Sequence, residues 1–440
     1  MDLSKKAVSL SRMRHRPFIL LAAAALLISC TCGGPQVPPP PPEPTLEEKV
    51  EAQLQGLTLR EKVGQLFCVR PEALDPGFKK SGLSQQAYGL QAVNDSMRAF
   101  AARFPVGGII LFGHNIADPV QLDSLVRQLK ALPGAPLLCV DEEGGYVTRI
   151  AANRNFPVEH FPQMGTLAAR KDASEVYRCG SVIGTYLKDY GFEVDFAPVA
   201  DVNTNPRNAV IGKRAFSSDP QVAAPLVVQF LKGLQGAGVA GCLKHFPGHG
   251  DTSADTHFGY ARTRKTWEEL LECEMLPFKA GIAAGAQLIM TAHISAPAVT
   301  GSDIPSTLSE VILQEKLRDE LGYQGIIITD GMEMGAITRQ FTSAEATLRS
   351  LQAGVDVILG PHDLEEAFDA VLQAVEEGSL TEERIDQSVR RVLLLKARLR
   401  GIYNSRYTPS FYAYACIHSQ FKADTLEVVE KLTDKYEYFR

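Results

Sequence analysis

The chain has 440 residues, 45% hydrophobic and 22% charged, with 45 Lys and Arg against 51 Asp and Glu and a net charge of -6. That is ordinary globular composition with enough length for a large core, and the acidic balance excludes a basic nucleic-acid-binding surface. The 8 cysteines (Cys30, Cys32, Cys68, Cys139, Cys179, Cys242, Cys273, Cys416) show neither paired metal spacing nor disulfide-framework density, and most read as small buried hydrophobes in apolar runs.

At the N-terminus, Lys5, Lys6, Arg12, Arg14 and Arg16 lead into an apolar run from Phe18 to Ile28 that is too short to span a bilayer comfortably. The run ends in Leu27-Ile28-Ser29-Cys30, which resembles a bacterial lipobox. Residues 1–29 are therefore expected to be a lipoprotein signal peptide and Cys30 the lipidated residue, with a plain signal peptide or an uncleaved anchor as the alternative. Lipid chains supply membrane affinity to a domain that is otherwise soluble. The expected location is the bacterial cell envelope, on the periplasmic or outer-membrane face. Residues 30–45 contain Gly33-Gly34-Pro35 and an unbroken proline run at 38–42, a stiff spacer.

From Leu46 onward short apolar runs alternate with longer amphipathic ones. Strands are expected at 65–69, 106–112, 136–141, 194–199, 239–244, 287–293, 325–330 and 355–360. These runs are nearly continuous in Val, Ile and Leu, as parallel strands covered on both faces require. Helices are expected at 119–131, 172–190, 221–236, 266–285, 344–353 and 381–400, the last with Ile385, Val389, Val392, Leu393 and Lys396 at helical spacing. Eight such units over roughly 350 residues predict an α/β fold, a single (β/α)8 TIM-type barrel spanning 46–402. No Gly-x-Gly-x-x-Gly follows an early strand, which argues against a dinucleotide fold. Residues 403–440 form a Tyr-rich tail of no assigned role, too short for a core of its own, so no second C-terminal domain is expected.

Five expected strands end in polar groups: Asp141, Asp201, Lys244-His245, His293 and Asp330. A lone Asp there commonly caps the next helix or forms a turn. Five together describe the mouth of a barrel lined for a polar ligand. The richest segment is Lys244-His245-Phe246-Pro247-Gly248-His249-Gly250-Asp251, followed by Asp255-Thr256-His257. Its histidine spacing matches no zinc motif, and Pro and Gly indicate a loop, so neither metal nor cofactor is expected. A structural histidine cluster is the other alternative. On the functional reading, Lys244 and His245 point into the mouth, and the stretch 250–254 carries Asp255 and His257 toward the reacting bond. Residues two apart in an extended segment face the same side, so Asp255 can fix the tautomer of His257 and raise its basicity. An imidazole, with an unperturbed pKa of about 6.5, both gives and takes a proton near neutrality. A retaining glycosidase asks this of one group in successive steps. Asp330 closes the run Ile327-Ile328-Thr329, where a rigidly held carboxylate can attack an anomeric carbon.

These segments resemble family 3 glycoside hydrolases, in particular the bacterial β-N-acetylglucosaminidase branch. The matching pieces are Asp141-Glu142-Glu143-Gly144-Gly145 with Arg149, Gly212-Lys213-Arg214-Ala215-Phe216 with Ser218-Asp219-Pro220, the Lys244–Gly250 motif with Asp255-Thr256-His257, and Thr329-Asp330-Gly331-Met332. The resemblance implies that Asp330 is the nucleophile and that His257, oriented by Asp255, is the general acid/base. It also implies that Asp141 holds sugar hydroxyls while Arg149, Arg214, Lys244 and His245 line the subsite for an N-acetylhexosamine ring. Family members with a carboxylic acid/base usually take it from a second domain, for which the Asp-x-His loop is the alternative. Glu142 and Tyr146 stand where the branch commonly has Gln and Arg, and Gly331-Met332-Glu333-Met334 replaces the commoner Asp-Leu or Ala-Leu turn. Both departures bear on leaving-group preference.

The expected activity is that of an exo-acting β-N-acetylhexosaminidase. It would act, as a monomer, on N-acetylglucosamine-containing glycans such as peptidoglycan fragments or chitooligosaccharides. A β-N-acetylglucosaminide phosphorylase is an alternative at the same site, because a carboxylate acid/base would repel phosphate and an imidazole would not. A β-glucosidase and a non-catalytic glycan-binding lipoprotein are the others.

Overall fold

The computed structural model describes residues 44–81, 88–254 and 261–401. Among these, eight parallel strands succeed one another around a barrel: β1 Phe67–Val69, β2 Gly108–Ile110, β3 Leu137–Val140, β4 Val194–Asp195, β5 Ala240–Phe246, β6 Leu288–Thr291, β7 Ile326–Thr329 and β8 Ile358–Leu359. Strand β8 pairs with β1 through Phe67 and Ile358, and Ile328 pairs with Val357 to join β7 to β8. All eight strands expected from the sequence form, seven with shorter cores and β5 extended to Phe246. The run at 194–199, for example, keeps two residues in the strand and pairs again only at Val199, opposite Lys244.

Side-chain alternation explains why these runs are apolar throughout. In β3, Leu137 and Cys139 join the barrel interior with Cys68, Ile110, Cys242 and Met290, while Leu138 and Val140 join the layer beneath the helices. Each strand buries both faces, so no polar stripe survives. Cys68, Cys139, Cys179 and Cys242 are buried free thiols, and Cys273 is half-buried.

Helices begin where the sequence supplies caps. Asp118 and Asp219 cap helices Pro119–Lys130 and Pro220–Ala237, each with proline in the first turn. Helices Leu46–Gln55 and Leu59–Gln65 precede β1 and were not among the expected elements. Their signal is a Thr-x-x-Glu capping box at each start, Thr45 with Glu48 and Thr58 with Glu61.

The single helix expected at 266–285 is two, Trp267–Glu272 and Met275–Ala283. The break has a packing reason. It buries Glu274 beneath the loop after β5, where its carboxylate holds Lys265 and its side chain lies against Gly248. Gly248 has φ +115, and a Cβ there would fall 2.6 Å from the Glu274 side chain, so both conformation and space require glycine. The final helix, Glu382–Gly401, places Val392, Leu395 and Leu399 against the barrel interior at the N-terminal ends of the strands. Among the described residues that helix covers this end, and the larger opening is at the opposite one.

Candidate active site

The opening is a cavity of about 350 Å³ at the C-terminal ends of the strands. Ile110, Met290 and Leu359 give it apolar contacts, and its charged wall comes from Asp141, Glu143 and Arg149 after β3, Arg214 beyond β4, Lys244 and His245 on β5, and Asp330 after β7. Several strand ends contribute because parallel strands all finish on the same rim.

On the β3–β5 side the charges form one cluster. Lys244, almost fully buried, donates to Asp141 Oδ1 at 2.9 Å and lies 2.6 Å from Glu143 Oε1. Arg214 grips both Glu143 oxygens, Nε at 2.8 Å and Nη2 at 2.7 Å. Arg149 donates to Asp141 Oδ2 at 3.3 Å. Burial by itself raises a carboxyl pKa, but here the neighbouring cations outweigh it. Lys244 and Arg214 hold Glu143 at about 2, and Lys244 and Arg149 hold Asp141 below the ordinary range. Burial works against the charge of Lys244 as well, yet Asp141 and Glu143 raise its pKa above the usual value. The cluster is thus ionised at every physiological pH. It keeps donor and acceptor capacity, since Asp141 accepts only one bond on each oxygen and the ammonium has a third N–H.

Behind His245 stands Asp201, 1% exposed. Its Oδ2 meets His245 Nδ1 at 2.7 Å, while Oδ1 accepts from the backbone N–H of His245 at 3.2 Å and of His249 at 2.6 Å. Burial raises the Asp201 pKa, and the two histidines outweigh it, leaving the carboxyl below its usual value. One carboxylate therefore pins the loop after β5 and aims the His245 ring. His249 also lines the cavity, with Nδ1 on Thr252 Oγ1 at 2.8 Å. The Lys244–His245 and Phe246–Pro247 peptides are cis.

Asp330 sits opposite this cluster, half-buried, its backbone N–H donating to Thr291 and its Oδ1 accepting from Gly331 N–H at 2.7 Å. His293 is not a cavity residue, although it ends a strand as the others do. It is buried behind the Asp330–Gly331 turn, with Nε2 on the Gly331 carbonyl at 3.0 Å and Nδ1 on Thr307 Oγ1 at 2.9 Å. A carbonyl only accepts, so Nε2 carries the proton. Burial lowers the ring's pKa.

Glu142 also departs from the expectation that it tunes leaving-group preference. It is fully buried and accepts from the backbone N–H groups of Arg149, Ile150 and Ala151 and from Tyr186 Oη. Its work is to fold the loop that presents Arg149. Tyr146, by contrast, is 85% exposed beside Val147 of the cavity wall.

The structure brings together Asp141, Arg149, Arg214, Lys244, His245 and Asp330. Asp255, His257, Cys30, the signal peptide and the tail lie outside the described residues. Described residues on either side of the Asp-x-His stretch pair as a short antiparallel ribbon, Ser253–Ala254 with Ala261–Arg262. Several cavity residues were given no site role by the sequence reading. Glu143 sits inside a motif whose chemistry was assigned to Asp141. Arg70 directly follows β1, the position that singled out the other candidates. Phe112 follows β2 and lies under the guanidinium of Arg70 at 3.9 Å, with Arg149 5.2 Å from its centroid. Glu333, on the turn after Asp330, pairs with Arg70 at 2.9 Å.

The barrel rim thus sets the Asp330 carboxylate opposite a wall of paired charges around a polar pocket, and comparison with known proteins gives its family. The family described as the glycosyl hydrolase family 3 N terminal domain matches residues 58–395. The chain belongs to that family. It is 35% identical over 326 residues to "Beta-hexosaminidase A" of Pseudoalteromonas piscicida, covering 68% of this chain and 54% of that protein. It is 34% identical over 278 residues to a "Beta-hexosaminidase" of Stenotrophomonas maltophilia (strain K279a), covering 62% and 81%. Among solved structures, a family 3 β-N-acetylglucosaminidase from Paenibacillus sp. str. FPU-7 superposes with a TM-score of 0.72 at 36% identity, over 81% of this chain and 65% of that one. The chain thus spans just over half of the first relative and about two thirds of the solved structure.

Proposed function

We propose that the protein is a retaining exo-β-N-acetylhexosaminidase that removes terminal β-linked N-acetylglucosamine. The observation that carries this reading is the position of Asp330. It faces the Asp141–Lys244–Glu143–Arg214 cluster across a small cavity with an apolar floor, at the barrel end where chemistry is expected. Such a cavity suits one terminal sugar, its hydroxyls on Asp141, Lys244 and His245 and its anomeric carbon toward Asp330. Relatives named β-hexosaminidase support the choice of sugar.

In the first step Asp330 attacks the anomeric carbon through Oδ2, the oxygen that does not hold Gly331 N–H. The glycosidic C–O bond breaks, and His257 gives its proton to the leaving oxygen. In the second step His257 takes a proton from water, the water oxygen bonds to the anomeric carbon, and the ester to Asp330 breaks, restoring the carboxylate. Two inversions give retention. Asp255 orients His257 throughout. The proposed setting is the cell envelope, with Cys30 carrying the lipid.

The test is release of p-nitrophenol from the β-N-acetylglucosaminide against the β-glucoside, with and without phosphate. Preference for the former, yielding free sugar, supports the proposal. Preference for glucose, or sugar 1-phosphate as main product, overturns it. His257→Ala should slow substrates with poor leaving groups far more than activated aryl glycosides, which need little protonation. Equal losses on both would remove His257 from the role.

A further inference from the structure

The two residues assigned to proton transfer, Asp255 and His257, are carried on the stretch between Ala254 and Ala261. Described residues at both ends of that stretch show how it is attached. Its incoming limb rests on the loop after β4, where Asn208 Nδ2 donates to the His249 carbonyl at 2.7 Å and Asn205 Nδ2 to the Thr252 carbonyl at 3.0 Å. Its outgoing limb rests on the segment after β6. There Ser295 N–H donates to the Ala261 carbonyl and Thr263 N–H to the Ser295 carbonyl, both at 3.0 Å.

The backbone link between the limbs is small. Ser253–Ala254 and Ala261–Arg262 pair over two residues each, and so short a ladder is marginal in water by itself. Side chains beneath it supply a second link. Asp251, on the incoming limb, accepts from Thr263 Oγ1 on the outgoing limb and from Thr204 Oγ1 after β4, both at 3.3 Å. Lys265, two residues beyond Thr263, lies 4.0 Å from Asp251 Oδ1 and donates to Glu274. Glu274 is fully buried in the break between helices Trp267–Glu272 and Met275–Ala283, its side chain also against Gly248 at the start of the incoming limb.

Lys265 thus stands between a carboxylate of one limb and a carboxylate of the scaffold. Burial disfavours its charge, but Glu274 and Asp251 outweigh burial and raise its pKa above the usual value. The ammonium therefore stays charged across neutral pH. The limbs meet beside the reaction cavity, because His249, two residues before Asp251, lines its wall. Fixing both attachment points removes loop entropy during folding rather than at the transition state. A misplacement of about 1 Å in a reacting group costs roughly 10²-fold there.

We propose that Asp251, Lys265 and Glu274 are positioning residues for the acid/base group. Through them the barrel sets where the Asp-x-His stretch leaves and rejoins it, and so where the proton is delivered. The proposal rests on the glycosidase reading above and deepens it, since none of the three lines the cavity.

The test is Lys265→Met in the full chain, with kcat/KM measured on N,N′-diacetylchitobiose and on 2,4-dinitrophenyl N-acetyl-β-glucosaminide. The first needs its leaving oxygen protonated and the second hardly does. The disaccharide should lose roughly ten- to hundredfold and the dinitrophenyl glycoside less than about threefold. Lys265→Arg should restore most of that difference. Thr263→Val removes one hydroxyl and no charge. It should show the same selectivity more weakly, and it carries the test if Lys265→Met does not fold. In the His257→Ala protein, Lys265→Met should add nothing on either substrate. A loss equal on both substrates, or no loss on either, would overturn the proposal. So would full additivity with a His257→Ala variant that is itself selective. If Lys265→Met is selective and His257→Ala is not, His257 loses the acid/base role while the positioning of the proton donor stands. A wild type that releases N-acetylglucosamine from neither substrate takes down the glycosidase reading and the proposal with it.

Discussion

Two buried ion clusters occupy opposite ends of the barrel. At the closed end, Asp356 is fully buried between β7 and the last helix. Its Oδ1 accepts from Ser388 Oγ at 2.6 Å and Arg391 at 2.9 Å, and its Oδ2 from Arg318 and from Ile327 N–H at 2.8 Å. Arg318 also donates through Nη1 to the carbonyls of Tyr323 and Gly325, and Arg384 reaches Ser388 and Val355. Every acceptor site on that carboxylate is met by protein. At the open end, Asp141, Glu143, Lys244, Arg149 and Arg214 are as strongly paired, yet they border a cavity and keep bonds to give. The same residue types thus serve rigidity where partners are saturated and recognition where one side faces an opening.

That contrast can be broken one cluster at a time. The largest effect is expected for Asp330→Ala, with turnover falling by roughly 10⁴-fold or more and the thermal melt little changed; an active variant would remove Asp330 as nucleophile. Lys244→Met should cost about 10²-fold or more in kcat/KM, because it removes a hydroxyl contact and sets Asp141 and Glu143 against each other. Asp356→Ala should do the reverse. It leaves Arg318 and Arg391 without their carboxylate and should cost about 3–5 kcal/mol in urea unfolding, with activity per folded molecule preserved. Equal damage to both properties from either variant would erase the distinction between the two ends.

A smaller effect concerns acid. The folded protein holds Glu143 at about 2 against an ordinary 4.5. A depressed carboxyl contributes stability above its unfolded pKa and loses it as pH falls through the folded value. Wild-type stability should therefore drop between those two limits, with Glu143 accounting for about 3 kcal/mol at most. Glu143→Gln should show a shallower slope in urea unfolding between about pH 5 and about pH 3; an unchanged slope would mean the burden lies on other carboxylates.

Much of the barrel was legible because its signals are local. Runs such as Ile326–Ile328 and Leu137–Val140 are apolar at every position, which only a strand buried on both faces demands. The ring of polar groups at strand ends was legible for the same reason, a sharp change from Val and Ile to Asp or Lys. What escaped reading depends on neighbours distant in sequence. Nothing local separates Glu142 from Glu143, yet one folds the Arg149 loop and the other clamps Arg214. Likewise His245 and His293 both lie near the C-terminal ends of strands, and only packing turns the first to the cavity and the second to Gly331. The helix break at Cys273–Glu274 follows from what lies above it, since Gly248 and Lys265 need Glu274 in that place.

By itself, then, the amino-acid order determined the parallel barrel, the strand ends that carry charge, and the family likeness around Asp141, Lys244, His245 and Asp330. These follow from hydrophobic periodicity and from motifs contiguous along the chain. Only the tertiary structure decided which carboxylates face the opening, that Asp201 aims His245, and that Asp251 joins the two limbs around the Asp-x-His stretch through Thr263 and Lys265. Those outcomes depend on which side of a turn a residue faces and on what packs behind it. Spacing along one chain does not encode either until eight strands have brought their ends to a common rim.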